Sequence, residues 1–187
     1  MGEQSGPRLG GDDYQHLYSW YEILRLLEED SPYAYAFVEH PAAGAADDVT
    51  FHPREGSGAA TRFVQVKWHV DYDSQYSFET LLEVTTGTRP LLRKLFDSWK
   101  AMRDDGPVEI WLVSNWSPAP GPDLGAYLAD RGCMLKDEFF TLGGRSRAAQ
   151  ARKSWAEALG TGHEELAAFC RDLRFELGYS TIERLYD

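Results

Sequence analysis

Thr61-Arg62-Phe63-Val64-Gln65-Val66-Lys67-Trp68-His69 is the passage on which the fold turns. Its β-branched and aromatic residues favour a pleated, half-buried surface, so the run reads as a strand. Side chains alternate along a strand, which puts Gln65 and Lys67 on one face. Just upstream, Asp47-Asp48-Val49-Thr50-Phe51 opens another strand, and Pro53–Ala60, with Gly56 and Gly58, reads as a hairpin loop joining the two. That hairpin brings Asp48 beside Gln65 and Lys67. Tyr33–Glu39 forms a further short aromatic strand, ending on a carboxylate at the same edge.

Working outward, Asp12 or Asp13 is expected to cap a helix running to Asp30, with Leu17, Tyr21, Leu24 and Leu27 as its buried face. Residues 1–11 read as a flexible lead. Residues 70–88 are irregular, with a helical turn at Phe78–Leu82. Pro90 begins an amphipathic helix to Arg103, buried through Leu91, Leu92, Leu95, Phe96 and Trp99. Val108–Ser114 is a strand. The 119–145 stretch is turn-rich, and residues 146–159 and 163–177 read as helices. The order is helix, three strands, helix, strand, then helices, within one α/β domain spanning 12–177. Gly178 closes the last helix, and Ser180-Thr181 opens another that stops at Asp187. Residues 178–187 are therefore expected to begin a linker to a downstream module.

The chain has 187 residues, 43% of them apolar, enough for one well-filled core. No apolar run approaches the roughly eighteen residues of a membrane span, so none is expected. Met1–Gly6 lacks the basic and apolar regions of a secretory signal, so the expected location is the cytoplasm. Cys133 and Cys170 lie far apart and read as reduced thiols. The five histidines form no zinc pattern; His40, His52 and His69 lie near the Asp48 region in sequence and receive no role. Trp68, Trp99, Trp111, Trp116 and Trp155 are expected as core or interface residues rather than as stacking platforms.

A net charge of −11 argues against coating nucleic acid by charge alone. Residues 1–60 carry 3 basic and 11 acidic side chains, a net of −8; residues 61–187 carry 16 and 19, a net of −3. Arg145, Arg147, Arg152 and Lys153 cluster with no acid between them and are candidate DNA-backbone contacts, the alternative being a solvated helix start.

This constellation suits phosphodiester hydrolysis. Asp48 offers Mg²⁺ (or Mn²⁺) a hard anionic oxygen, and Gln65 and the Val66 carbonyl offer further oxygens. The metal polarises the phosphate and lowers the pKa of a bound water, while Lys67 orients that water or offsets developing charge. Glu39 supplies a second metal carboxylate. Asp47 competes with Asp48 for the metal, and Gln15, early in the first helix, either steadies the site or is a surface residue. Gln65 and Lys67 alone also fit the wet face of any strand; the ordered set carries the reading.

With Gly11-x-x-Tyr14-Gln15, Glu39, Asp47-Asp48-Val49 and Val64-Gln65-Val66-Lys67 in place, the chain resembles the PD-(D/E)XK nuclease superfamily in its QxK form. Within it, the chain looks closer to the double-stranded DNA endonuclease domain associated with CD-NTase effectors of bacterial anti-phage systems. Leu112-Val113-Ser114-Asn115 and Arg174-Phe175 resemble that domain's later portion, and the likeness covers roughly residues 11–177. The resemblance implies a restriction-endonuclease-like core, a central mixed sheet flanked by helices. It also implies Mg²⁺-dependent cleavage of duplex DNA, in the bacterial cytoplasm, by a domain fused to a downstream sensor that drives oligomerisation. Gln65 replaces the usual acid, so metal affinity leans more heavily on Glu39. The alternatives are a non-catalytic DNA- or partner-binding module and a nuclease acting on RNA or branched DNA.

Overall fold

Three antiparallel strands follow the first helix, and the turn between the second and third carries Gly56 and Gly58, both at positive φ. The computed structural model describes residues 6–39, 46, 48–71, 73–84, 88–129 and 133–179. Helix α1 spans Gly6–Leu24 and continues through a 3-10 turn at Arg25–Leu27. Strands β1 (Tyr33–Val38), β2 (Val49–Pro53) and β3 (Thr61–Lys67) form the meander. After the short β4 (Gln75–Tyr76) and α2 (Leu91–Met102), β5 (Val108–Ser114) returns parallel to β3. Then come β6 (Ser117–Pro118), α3 (Asp137–Thr141), α4 (Arg147–Leu159), α5 (His163–Asp172) and β7 (Leu173–Leu177).

The main sheet is five-stranded and mixed, in the order β1-β2-β3-β5-β7, and β4 and β6 make a small parallel pair. One face of the sheet carries Val49, Phe51, Val64, Val66 and Val113 against Tyr14 and Tyr18 of α1. The other carries Phe63, Ile110, Leu112 and Phe175 against α2, α4 and α5. Indole N–H groups tie this second layer: Trp99 donates to Asp172 at 2.9 Å and Trp155 to the Phe78 carbonyl at 3.0 Å. The protein is thus α/β, with helices on both faces of a mixed sheet. No described helix is long and apolar enough to cross a membrane.

Three expectations need correction. Helix α1 begins at Gly6, so neither Asp12 nor Asp13 caps it and residues 6–11 of the expected flexible lead are helical; residues 1–5 lie outside the described residues. Its inward face is Tyr14, Tyr18 and Glu22, while Tyr21, Leu24 and Leu27 are exposed. The reason is an ion pair: Arg62, under the helix, takes Glu22 at 3.1 Å, which lets a carboxylate occupy a core-facing position. The expected helix 163–177 ends at Asp172, and the next five residues pair with β5 as strand β7. Residues 180–187 lie outside the described residues, as does the expected linker there.

Candidate active site

The cross-strand registers place three candidate residues in one row. Val38 pairs with Val49, and Val49 with Val64. One step further along each strand come Glu39, Asp48 and Gln65, and the Glu39 N–H donates to the Asp48 carbonyl at 3.2 Å. Gln65 lies opposite Leu112, and Lys67 opposite Ser114. Glu39 has left-handed backbone geometry (φ 53°), uncommon for a residue with a side chain, and its side chain is exposed. Asp47 lies outside the described residues.

Asp48 is only 7% exposed and Gln65 5%. Burying a carboxylate is tolerable when N–H groups surround it. Here Gln15 Nε2 donates to Oδ1 at 2.7 Å, the Val66 N–H donates to Oδ2 at 2.6 Å, and Gln65 Nε2 donates to the same Oδ2. The first helix therefore reaches the site through Gln15. Gly10, one turn earlier on α1, permits this approach: a Cβ there would stand 2.9 Å from the Trp68 ring.

Gln65 Nε2 also lies 3.3 Å from the Val66 carbonyl oxygen. It thus bridges a carboxylate oxygen and a carbonyl oxygen, a pair of hard donors of the kind Mg²⁺ takes. The amide presents nitrogen, not the expected carbonyl oxygen, to these acceptors. The donor chemistry of Asp48 and the Val66 carbonyl suits a divalent cation, which they would hold if the Gln65 nitrogen gave way, whereas the exposed Glu39 side chain is not brought to them. Among the described residues no three His, Cys, Asp or Glu side chains converge on one point.

Lys67 is half-buried at the end of β3. Burial, reinforced by the Lys67 charge, pushes the His69 imidazole down to about 4, so His69 is neutral at ordinary pH. His69 Nε2 lies 2.9 Å from the Tyr76 hydroxyl, and its ring stacks on Trp116 at 3.6 Å. Asn115 accepts from the His69 N–H at 2.9 Å and donates to the His69 carbonyl at 2.8 Å, clasping the ends of β3 and β5. Sequence alone assigns this cluster no role. Its signal was the odd-numbered face of β3, on which His69 follows Gln65 and Lys67.

The basic cluster is largely engaged within the fold. Arg147 pairs with Glu79 and, at 2.7 Å, with Asp123. Arg152 donates to the carbonyls of Phe139 and Leu142, closing the C-terminal end of α3. Lys153 faces Glu157 at 3.9 Å, and Arg145 is exposed. A second polar cluster lies under α1: Arg62 holds Glu22, the Tyr18 hydroxyl at 2.9 Å and Glu176 at 3.7 Å, with its guanidinium 3.9 Å over the Trp111 ring. Burial pushes the Glu176 carboxyl up against the pull of Arg62.

No family model matches the chain, and no curated protein is significantly similar to it.

Proposed function

We propose that the chain is a metal-dependent endonuclease domain of the PD-(D/E)XK type, acting on double-stranded DNA. The observation that carries this reading is the buried Asp48 carboxylate, clasped by Gln15, by Gln65 two residues before Lys67, and by the Val66 amide. The element order of helix, three-stranded meander, helix and parallel strand supports the same core. The wider reading, an effector module of a bacterial anti-phage protein that oligomerises through a downstream sensor, rests on the resemblance of the motifs.

A bound divalent cation supplies Lewis-acid polarisation of the scissile phosphate. The chain's own residues do the rest. Gln15 and the Val66 N–H fix the orientation of the Asp48 carboxylate. Asp48 and the Val66 carbonyl would hold the cation with the Gln65 side chain displaced from them. The Lys67 ammonium offsets charge growing on the phosphate oxygens.

Incubation of supercoiled plasmid with Mg²⁺ or Mn²⁺ tests this, beside Asp48→Asn and Lys67→Ala. Rates should fall about 100-fold or more in either variant. Equal cutting by all three proteins would place the activity elsewhere. One observation favours a non-catalytic scaffold as the second reading: Gln65 nitrogen already fills the point between the two hard oxygens. Calorimetric Mn²⁺ titration separates the two, since a scaffold gives no binding that Asp48→Asn abolishes.

A further inference from the structure

Tyr35 and Phe37 are 50% and 48% exposed on the edge strand of the sheet. Tyr35 pairs with His52 and Phe37 with Thr50, so both rings stand on one sheet face with His52. The Tyr35 ring stacks on His52 at 4.7 Å with an interplanar angle of 17°; Phe37 meets His52 edge-on at 5.6 Å. His52 also lines a cavity of about 290 Å³ whose walls include Thr61, Phe63, Met102 and Asp105. Asp48 immediately precedes β2, four residues before His52. At strand rise that is roughly 13 Å, about four nucleotides at the B-form rise per strand.

We infer that the Tyr35–Phe37–His52 face and its cavity form a binding platform for unpaired bases of DNA, so that the substrate is a duplex with a single-stranded or frayed segment beside the cut. The identity of the ligand rests on the nuclease reading above. Three observations select bases as the occupant. The patch is aromatic rather than aliphatic, and every base has a π-face that stacks on such rings without sequence preference. It adjoins the site that would handle the phosphodiester, which begins at Asp48, the residue just before β2. Among the described residues the basic run offers little of the usual alternative: duplex affinity comes chiefly from neutralised phosphates, yet this chain nets −11, Arg147 and Arg152 are engaged internally, and Arg145 and Lys153 are what that run leaves toward solvent. Affinity gained from stacking requires bases that are out of the helix. Arg54, exposed two residues beyond His52, donates its Nε to the Tyr33 carbonyl at 3.1 Å and leaves its terminal nitrogens for a strand's backbone.

The test is fluorescence anisotropy in EDTA, which prevents cleavage, with a labelled oligothymidylate of roughly twelve nucleotides and a duplex of equal length. Wild type should bind the single strand more tightly than the duplex. The double variant Y35A/F37A should lose about tenfold or more of that affinity. The variant Y35L/F37L, which keeps apolar bulk and removes the rings, should lose as much. Both residues are half-exposed, so the variants should retain the wild-type melting temperature. Single-strand binding equal in wild type and Y35A/F37A overturns the platform. So does sedimentation showing a wild-type dimer that the variant dissolves while oligonucleotide binding is unchanged; the face then joins two copies. Plasmid cleavage in Mg²⁺ is scored separately: its failure with intact oligothymidylate binding refutes the nuclease reading alone, and its persistence without such binding refutes the platform alone.

Discussion

The Gln15 amide donates to the Asp48 carboxylate at 2.7 Å, joining the first helix to the start of the second strand across 33 residues of sequence. A hydrogen bond to a charged, buried acceptor contributes about 1.5–3 kcal/mol. Gln15→Ala should therefore lower stability by about that amount in urea unfolding and weaken Mn²⁺ binding by calorimetry. Gln15→Glu places a second carboxylate against Asp48, so its loss should be larger at pH 7 than at pH 5. An unchanged unfolding midpoint in both variants would show that α1 does not organise the site.

Adjacent glycines on α1 should respond in opposite directions. A Cβ at Gly10 meets the Trp68 ring at 2.9 Å, whereas one at Gly11 meets nothing within 4 Å. Gly11→Ala should stabilise by about 0.5–1 kcal/mol through helix propensity. Gly10→Ala gains the same propensity but forces the ring aside, at a cost of about 1–3 kcal/mol, for a net loss. Chemical denaturation of the pair measures the difference directly.

Glu39 holds a left-handed backbone at φ 53°. That conformation costs a residue with a Cβ about 1–2 kcal/mol. Glu39→Gly should raise the melting temperature while weakening Mn²⁺ binding, and Glu39→Gln should weaken binding without the gain. If both variants bind the ion as wild type does, Glu39 is not a ligand.

Removing Arg62 leaves Glu176 without its paired cation and Glu22 with only Arg25, at 3.2 Å on the helix surface. Arg62→Met should cost about 3–5 kcal/mol at pH 7. Burial already raises Glu176 above its unfolded 4.5, so the folded state binds that proton more tightly and stability falls as pH rises through the folded value. Without Arg62 this penalty grows, and the variant's deficit should be smaller at pH 5 than at pH 7. A pH-independent deficit counts against the carboxylate pair.

His69 works in the other direction. Its folded value of about 4 lies below the unfolded 6.5, so the unfolded chain binds the extra proton between those limits. Stability should fall as pH drops from 6.5 toward 4, and His69→Gln should flatten that part of the profile. Parallel melting curves for the two proteins across this window would remove His69 as the cause.

Local chemistry was sufficient for part of this architecture. Alternating β-branched residues in Thr61–Lys67, the Gly-rich 54–60 turn, and the Leu92, Leu95, Phe96 and Trp99 spacing behind Pro90 specify strand, hairpin and helix within a few residues of chain. The hairpin register likewise makes Asp48 a neighbour of Gln65. Tertiary structure decided what depends on partners distant in sequence. Leu166, Phe169, Cys170 and Leu173 fit a helical face, but the open edge of β5 offered Leu173–Leu177 a ladder of backbone hydrogen bonds, and the strand won. Glu22 faces inward only because Arg62 lies beneath it, forty residues on. The basic run 145–153 looks unopposed along the chain, yet Glu79, Asp123 and two carbonyls of the α3 region reach it in space. Periodicity reports which residues can share a face; which face is buried, and which charge is met, is set by what the rest of the fold brings alongside.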